Sequence, residues 1–153
     1  MRVIRVVVAD DDAAFRGAVV DVLDADPRFA VVDVRSTGED IATVARESRA
    51  DLVLIDVRMP GGGPEAARAI RTQPGAGSAQ PLVVTLSAQS AAHTVASMVR
   101  EGVSGYLVKG RIGSDLPDLL ARCAAGEVVL AVPSGAEVLR DLTHPTPDQP
   151  SAS

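Results

Sequence analysis

Five short runs rich in Val, Leu and Ile alternate along the chain with segments whose apolar residues recur at helical spacing. This alternation predicts repeated βα units, in which parallel strands form one sheet and helices cover both of its faces. The third run is apolar from Leu52 to Ile55, as expected for a central strand buried on both sides. The predicted strands cover residues 3–8, 29–34, 51–55, 82–86 and 105–108.

Polar side chains stand where four of these predicted strands end. Asp10 and Asp11 follow the first strand, and Asp56 follows the third. Ser87 and Lys109 follow the fourth and fifth strands. Because the carboxyl ends of parallel strands share one edge, and ligands bind in the crevice there, these groups are expected to converge. Three carboxylates, a hydroxyl and an amine predict a site for a divalent metal and a phosphoryl group.

Asp56 is the candidate nucleophile of this site. It ends the most apolar strand, where a carboxylate is unfavourable unless something pairs with it. Mg²⁺ prefers oxygen ligands and would be a suitable partner, together with a second carboxylate, a backbone carbonyl and water. A carboxylate held in this way can attack phosphorus and form an acyl phosphate. The run from Asp10 to Asp12 is, by itself, equally consistent with a helix N-terminus, where negative charge is favoured.

Several residues predict where the helices begin and end. Asp12 suits the N-cap of the first helix, which is predicted from Ala13. Ser36 and Glu39 have the spacing of a capping box, which predicts that the second helix opens there. The remaining signals are Pro64 in the first turn of the third helix, Gly102 at the end of the fourth, and a fifth helix from about Ser114 with Pro117 in its first turn.

The C-terminal part of the sequence has weaker signals. Residues 128–132 read as a short extra strand or an extended segment, and residues 135–142 as one more helix. From Thr143 the chain has three prolines and almost no apolar residues, which predicts disorder. We therefore expect one domain over residues 1–126, a short extension over 127–142 and a disordered tail over 143–153.

Composition excludes several classes of function. The net charge is −5, which argues against direct nucleic-acid binding. Aromatic residues make up only 2% of the chain, so no aromatic-lined pocket is expected. The N-terminus lacks the features of a signal peptide, and no apolar run is long enough to cross a bilayer, so a cytoplasmic location is expected. The single cysteine, Cys123, is expected to be a core residue.

Four segments, in this order and spacing, resemble the motifs of response-regulator receiver domains of two-component signalling: VVVADDDAAFR, DLVLIDVRMPGG, VVTLSA and GYLVKG. The resemblance covers residues 2–126 and is greatest to the NarL/FixJ-type subgroup. It implies a flavodoxin-like, doubly wound parallel sheet of five strands in the order 2-1-3-4-5, with helices on both faces.

The resemblance also implies roles for the metal and phosphoryl ligands. Asp56 would accept a phosphoryl group from a histidine kinase or histidine phosphotransferase. Asp10 and Asp11 would hold Mg²⁺ with Asp56, and the backbone carbonyl of Arg58 would be a further ligand.

It implies a switch as well. Lys109 and Ser87 would bind the phosphoryl oxygens, and the ring of Tyr106 would turn inward as Ser87 moves. The output would be a homodimer or a downstream protein bound to the face of the fourth helix, fifth strand and fifth helix, with no membrane contact.

Other interpretations remain open. NarL/FixJ-type regulators usually continue into a helix-turn-helix domain, which the short polar segment from Thr143 cannot supply, so this chain is not expected to bind DNA directly. The alternative is the receiver part of a DNA-binding transcriptional regulator whose helix-turn-helix domain is absent from this chain. An Mg²⁺-dependent phosphatase is disfavoured because Arg58 stands where such enzymes commonly have a second acid. A non-phosphorylated scaffold is disfavoured by the complete site, and catalysis beyond the chain's own phosphorylation and dephosphorylation is not expected.

Overall fold

The computed structural model describes residues 2–73, 80–88, 91–131 and 142–143 of the chain. Within them, strands and helices alternate as the apolar runs predict. The strands are β1 (Ile4–Ala9), β2 (Phe29–Arg35), β3 (Leu52–Asp56), β4 (Leu82–Ser87), β5 (Gly105–Val108) and β6 (Val129–Ala131). The helices are α1 (Ala13–Asp24), α2 (Ile41–Glu47), α3 (Pro64–Thr72), α4 (Ala92–Arg100), α5 (Lys109–Ile112) and α6 (Leu116–Ala124), with a 3₁₀ turn at Gly113–Asp115.

The strands form one parallel sheet in the order β2-β1-β3-β4-β5-β6. The predicted order 2-1-3-4-5 is confirmed for the first five strands, but the expected five-stranded sheet has a sixth strand. β6 pairs in parallel with β5, with Gly105 opposite Val129, and lies within the segment where the sequence allowed a short strand. β6 has only three residues, of which Val129 alone is buried, so the sequence pattern that predicts this strand is short and weak.

Helices cover both faces of the sheet and enclose a core on each. One core packs the buried sides of α2, α3 and α4 against the sheet, and the other packs α1 and α6 against the opposite face. Every residue of β3 is buried, and its four apolar side chains alternate between these two cores. Cys123 is buried in the second core, as predicted.

The first helix begins as predicted, and the second does not. Asp12 is the N-cap of α1, and its carboxylate accepts a hydrogen bond of 3.0 Å from the backbone N–H of Phe15. The capping box predicted at Ser36 and Glu39 is wrong. α2 begins only at Ile41, after Asp40 in a left-handed conformation with φ 57°.

Contact with the loop after β3 explains the late start of α2. The Gly38 N–H donates a hydrogen bond of 2.8 Å to the carbonyl of Pro60. A Cβ atom on Gly38 would lie 2.1 Å from the carbonyl oxygen of Gly61, so only glycine permits this approach of the two backbones. The contact holds the turn between β2 and α2 outside the helix.

The last predicted helix of the domain is divided in the structure. Lys109 opens the short helix α5 directly after β5, and the main helix α6 begins at Leu116 rather than near Ser114. Pro117 lies in the first turn of α6, as predicted.

No helix in the described part of the chain is long and apolar enough to cross a membrane. The predicted helix over residues 135–142 and the predicted tail over 143–153 lie outside the described residues, apart from Leu142 and Thr143.

Candidate functional site

The carboxyl edge of the sheet brings together the side chains that the sequence placed there. Asp10 directly follows β1, Asp56 is the last residue of β3, and Ser87 is the last residue of β4. Lys109 directly follows β5. Asp10, Asp56 and Ser87 are all buried, which is unusual for polar side chains and implies specific partners.

Lys109 is paired with two carboxylates. Its ammonium nitrogen lies 2.7 Å from Asp10 Oδ2 and 3.0 Å from Asp56 Oδ2. Burial alone would lower the pKa of Lys109, but the contacts with the two acids outweigh burial and leave this pKa raised. The side chain is therefore an ammonium at neutral pH, and its charge offsets part of the charge of the acids.

Asp10, Asp11 and Asp56 form a cluster suited to a metal ion. One carboxylate oxygen from each lies within 4.8 Å of the others. Burial raises the pKa of Asp10, against the opposing effects of Lys109 and of the Asp12 N–H, which donates to Asp10 Oδ1 at 2.9 Å. Asp11 is exposed, which leaves the cluster open to solvent on one side.

One oxygen of this cluster lacks a well-formed hydrogen bond. Asp10 Oδ2 is buried and close to Lys109, but the contact is an ion pair without hydrogen-bond alignment, and no other described residue donates to it. A carboxylate oxygen in this situation is available to a cation, and oxygen ligands of this kind suit Mg²⁺. The residues present therefore fit a divalent cation.

Asp56 is held at both of its carboxylate oxygens. Oδ1 accepts a hydrogen bond of 2.9 Å from the backbone N–H of Arg58, and Oδ2 accepts one of 3.0 Å from Lys109. The side chain of Arg58 is exposed, so it is the backbone of this residue that borders the site.

The loop that follows Asp56 is held by close backbone contact. A Cβ atom on Gly62 would lie 2.3 Å from the carbonyl oxygen of Asp56 and 3.1 Å from that of Met59. The Gly62 N–H also donates a hydrogen bond of 2.9 Å to the carbonyl of Met59. Gly62 therefore permits a tight turn against Asp56.

Ser87 and Tyr106 are both fully buried, and their side chains lie close together. Burial raises the pKa of Tyr106, and the neighbouring Ser87 side chain acts in the opposite direction. The ring of Tyr106 is therefore in an inward position, beside the serine that ends β4.

Phe15 is a neighbour of the site that the sequence did not indicate. The centre of its ring lies 4.4 Å from the ammonium nitrogen of Lys109. Helical spacing explains why Phe15 packs inward, but no local pattern indicates that its ring meets a residue 94 positions later in the chain.

The sequence that forms this arrangement matches a known protein family. The family model of the response regulator receiver domain matches residues 6–124. The chain belongs to the response regulator receiver domain family. Receiver domains of this family are signalling switches that histidine kinases phosphorylate.

Curated relatives of this receiver domain are NarL-type response regulators. The nitrate/nitrite response regulator protein NarL of Escherichia coli strain K12 is 31% identical over 127 residues, which are 82% of this chain and 57% of that protein. Response regulator GacA of Pseudomonas aeruginosa is 33% identical over 126 residues, 81% of this chain and 56% of GacA. The chain spans between 56% and 62% of the length of these and a further relative.

Solved structures agree with the receiver fold. The signal receiver domain of NarL from Mycobacterium tuberculosis superimposes with a TM-score of 0.75 at 28% identity, covering 83% of this chain and all of that chain. A two-component response regulator of the LuxR family from Aurantimonas has a TM-score of 0.81 over 93% of this chain and 99% of its own, and at 23% identity it shows the fold alone.

Proposed function

We propose that this receiver domain takes a phosphoryl group on Asp56 in an Mg²⁺-dependent reaction and changes conformation as a result. The observation that supports the proposal is the pairing of a buried Asp56 carboxylate with Lys109, 3.0 Å away, beside the Asp10 and Asp11 carboxylates. A buried acid with this charge environment, at the carboxyl edge of a parallel sheet, has the properties of a nucleophile for phosphorus.

The phosphoryl donor in this proposal is a phosphohistidine of a histidine kinase or histidine phosphotransferase, and the transfer takes place in the cytoplasm. An Asp56 carboxylate oxygen attacks phosphorus, and the bond between phosphorus and the donor nitrogen breaks. The electron pair returns to the imidazole, which takes a proton from solvent, and Asp56 becomes an acyl phosphate. The open side of the cluster at exposed Asp11 gives the donor a route of approach.

The Mg²⁺ ligands in this proposal are the carboxylates of Asp10, Asp11 and Asp56 and the backbone carbonyl of Arg58. The bound ion supplies positive charge that offsets the acids and the incoming phosphoryl oxygens. Asp10 suits this role because its buried Oδ2 has no well-formed hydrogen bond among the described residues. The Asp12 N–H fixes the other oxygen of Asp10 and so orients the carboxylate.

Lys109 and Ser87 are the proposed ligands of the phosphoryl oxygens. In the unphosphorylated chain Lys109 is paired with Asp10 and Asp56, and the buried Ser87 side chain lies beside Tyr106. Binding to the phosphoryl group requires Lys109 to exchange a partner and Ser87 to move. Movement of Ser87 changes the packing around Tyr106, which is the proposed switch residue.

The proposed output surface is the face formed by α4, β5 and α6. β5 carries Tyr106 in its interior, and α4 packs against β5 with Val95 and Met98 buried. His93 and Arg100 are exposed on α4 and border this face. We propose that the face binds a second copy of the chain or a downstream protein, and that the chain alone does not bind DNA.

A second candidate is the receiver part of a DNA-binding transcriptional regulator. It is supported by the length comparison, since the chain spans little more than half of relatives such as the nitrate/nitrite regulator NarL. For both candidates we propose the same division, with the receiver domain over residues 1–126, an extension over 127–142 and a tail over 143–153.

Beryllofluoride, a mimic of the phosphoryl group, tests the site and the switch together. Backbone amide shifts measured by NMR with Mg²⁺ should change at Asp56 and Lys109 and then most strongly along α4, β5 and α6. Asp56→Asn, which lacks the ionised oxygen, should give no change. Shifts confined to α1 and α2 would contradict the proposed coupling through Ser87 and Tyr106.

A further inference from the structure

Phe15 and Lys109 come from distant parts of the sequence and meet at the functional site. The ring of Phe15 lies in the first turn of α1, and its centre is 4.4 Å from the ammonium nitrogen of Lys109. An ammonium at this distance from an aromatic ring is attracted by the negative charge on the ring face. The side chain of Lys109 is only 15% exposed, so water screens this attraction weakly.

The position of Phe15 is fixed from two directions. Its backbone N–H donates a hydrogen bond to the carboxylate of Asp12, and its half-buried ring packs against the core between α1, α6 and the sheet. Asp12, the acid of the run that is not a candidate metal ligand, therefore anchors the turn that carries the ring. The ring is therefore a fixed partner for Lys109, and it is a ligand of neither the metal nor the phosphoryl group.

The other two partners of Lys109 are carboxylates that the reaction changes. Asp10, 2.7 Å away, is a proposed ligand of the metal, and Asp56, 3.0 Å away, is the proposed nucleophile. When Asp10 binds the metal and Asp56 bonds to phosphorus, their ion pairs with the Lys109 ammonium weaken. The Phe15 ring takes part in neither change, so its contact would keep the ammonium beside Asp56.

We propose that Phe15 is a positioning residue that holds the Lys109 ammonium in place while its carboxylate partners are exchanged during phosphorylation. This inference rests on the proposed function of Asp56. It predicts that the electron density of the ring, and not only its shape, affects the rate of phosphorylation. A ring that merely fills the core would affect only the stability of the fold.

Fluorinated phenylalanines at position 15 separate these two roles, because fluorine withdraws electrons from the ring face and changes its shape little. The rate of Asp56 phosphorylation by acetyl phosphate at saturating Mg²⁺ should fall stepwise from one to three fluorines, by a total on the order of fivefold to tenfold. Phe15→Tyr, which keeps an electron-rich ring, should retain the rate, and Phe15→Leu should lose at least as much as the trifluorinated variant.

Phe29 provides a matched control in the same chain. Its buried ring has the Arg28 guanidinium 5.6 Å from its centre and lies at the start of β2. Fluorination at position 29 should leave the phosphorylation rate unchanged.

The ε-methylene protons of Lys109 give a readout independent of phosphorylation. The Phe15 ring should shift their NMR signal upfield, and Phe15→Leu should return it to its usual position.

The outcomes distinguish this inference from the proposed function. If wild-type Asp56 is phosphorylated but fluorination of Phe15 leaves the rate unchanged, Phe15 has only a packing role and the inference is wrong. An unshifted Lys109 signal in the wild-type chain would contradict it directly. If wild-type Asp56 is not phosphorylated at all, the proposed function fails, and the positioning role fails with it.

Discussion

Thr85 and Tyr106 lie directly opposite each other in the pairing of β4 with β5, and both side chains are fully buried. The Tyr106 side chain lies close to that of Ser87. The Thr85 hydroxyl is fully buried and has no hydrogen-bond partner among the described residues. An unsatisfied buried hydroxyl reduces stability by about 1–3 kcal/mol. The Thr85 hydroxyl, next to the proposed switch residue, therefore makes the fold less stable than an apolar side chain at position 85 would.

Thr85→Val should stabilise the chain, because valine has nearly the same shape and no hydroxyl to desolvate. We expect the free energy of unfolding to rise by about 1 kcal/mol in urea denaturation. Thr43→Val is the control, since Thr43 is half-buried on α2 and the same change there should have little effect. An equal or greater gain at position 43 would show that the Thr85 hydroxyl is not the cause.

Gly62→Ala should disturb Asp56 through the backbone. The added Cβ would meet the Asp56 carbonyl oxygen at 2.3 Å, so the loop or the end of β3 must move. We expect a loss of about 1–3 kcal/mol of stability and slower phosphorylation of Asp56. Gly17→Ala, where a Cβ meets nothing within 4 Å in the middle of α1, should instead stabilise the chain by about 0.5–1 kcal/mol. Wild-type kinetics in Gly62→Ala would contradict the tight contact.

Mg²⁺ should stabilise the folded chain through the carboxylate cluster. Binding to the folded state alone adds about 2.7 kcal/mol when the free ion exceeds its Kd a hundredfold. Asp10→Asn and Asp11→Asn should abolish most of this gain, which thermal unfolding with and without Mg²⁺ measures. Asp21→Asn, at an exposed position of α1, should retain it. A gain that survives Asp10→Asn would place the ion elsewhere.

Asp26 should titrate well below an ordinary aspartate. The guanidinium nitrogen Nη2 of Arg28 lies 2.7 Å from Asp26 Oδ2 and 2.9 Å from Asp118 Oδ1. The contact with Arg28 lowers the pKa of Asp26 from 3.8 to about 2. Because this folded-state pKa is depressed, the ionised pair stabilises the fold above pH 3.8, and that contribution is lost as the pH falls toward 2.

Carboxyl carbon shifts measured by NMR against pH test this. Arg28→Met should return the pKa of Asp26 toward 3.8, and the stability advantage of the wild-type chain over this variant should shrink as the pH falls from 4 toward 2. Asp118→Asn leaves the contact between Asp26 and Arg28 in place and should keep the pKa near 2. A wild-type Asp26 that titrates near 3.8 would show that the pair does not form in solution.

The sequence predicts the sheet and the position of the site because both depend on local patterns. Each of the first five strands contains a short apolar run, and Asp10, Asp56, Ser87 and Lys109 each stand at or directly after a strand end. In a parallel sheet, that placement alone brings them to one edge. Convergence of the site could therefore be predicted without any knowledge of side-chain contacts.

The features that the sequence did not predict depend on contacts between distant segments. The capping box at Ser36 fails because Gly38 packs against Gly61, and the spacing of Ser36 and Glu39 contains no information about that loop. The contact of Phe15 with Lys109 likewise requires the fold. For residues 128–132 the sequence left a short strand and an extended segment open, because the three residues of β6 are too few for a clear apolar pattern beside the surrounding proline and glycine.

Intact-mass measurement after incubation with acetyl phosphate shows whether Asp56 accepts a phosphoryl group. With Mg²⁺, the wild-type chain should gain one phosphoryl group, and reduction of the acyl phosphate followed by peptide mapping should locate it at Asp56. Omission of the divalent ion, or Asp56→Asn, should abolish the gain. A phosphoryl group that persists in Asp56→Asn would show that Asp56 is not the acceptor, and one that forms without a divalent ion would show that the reaction does not depend on Mg²⁺.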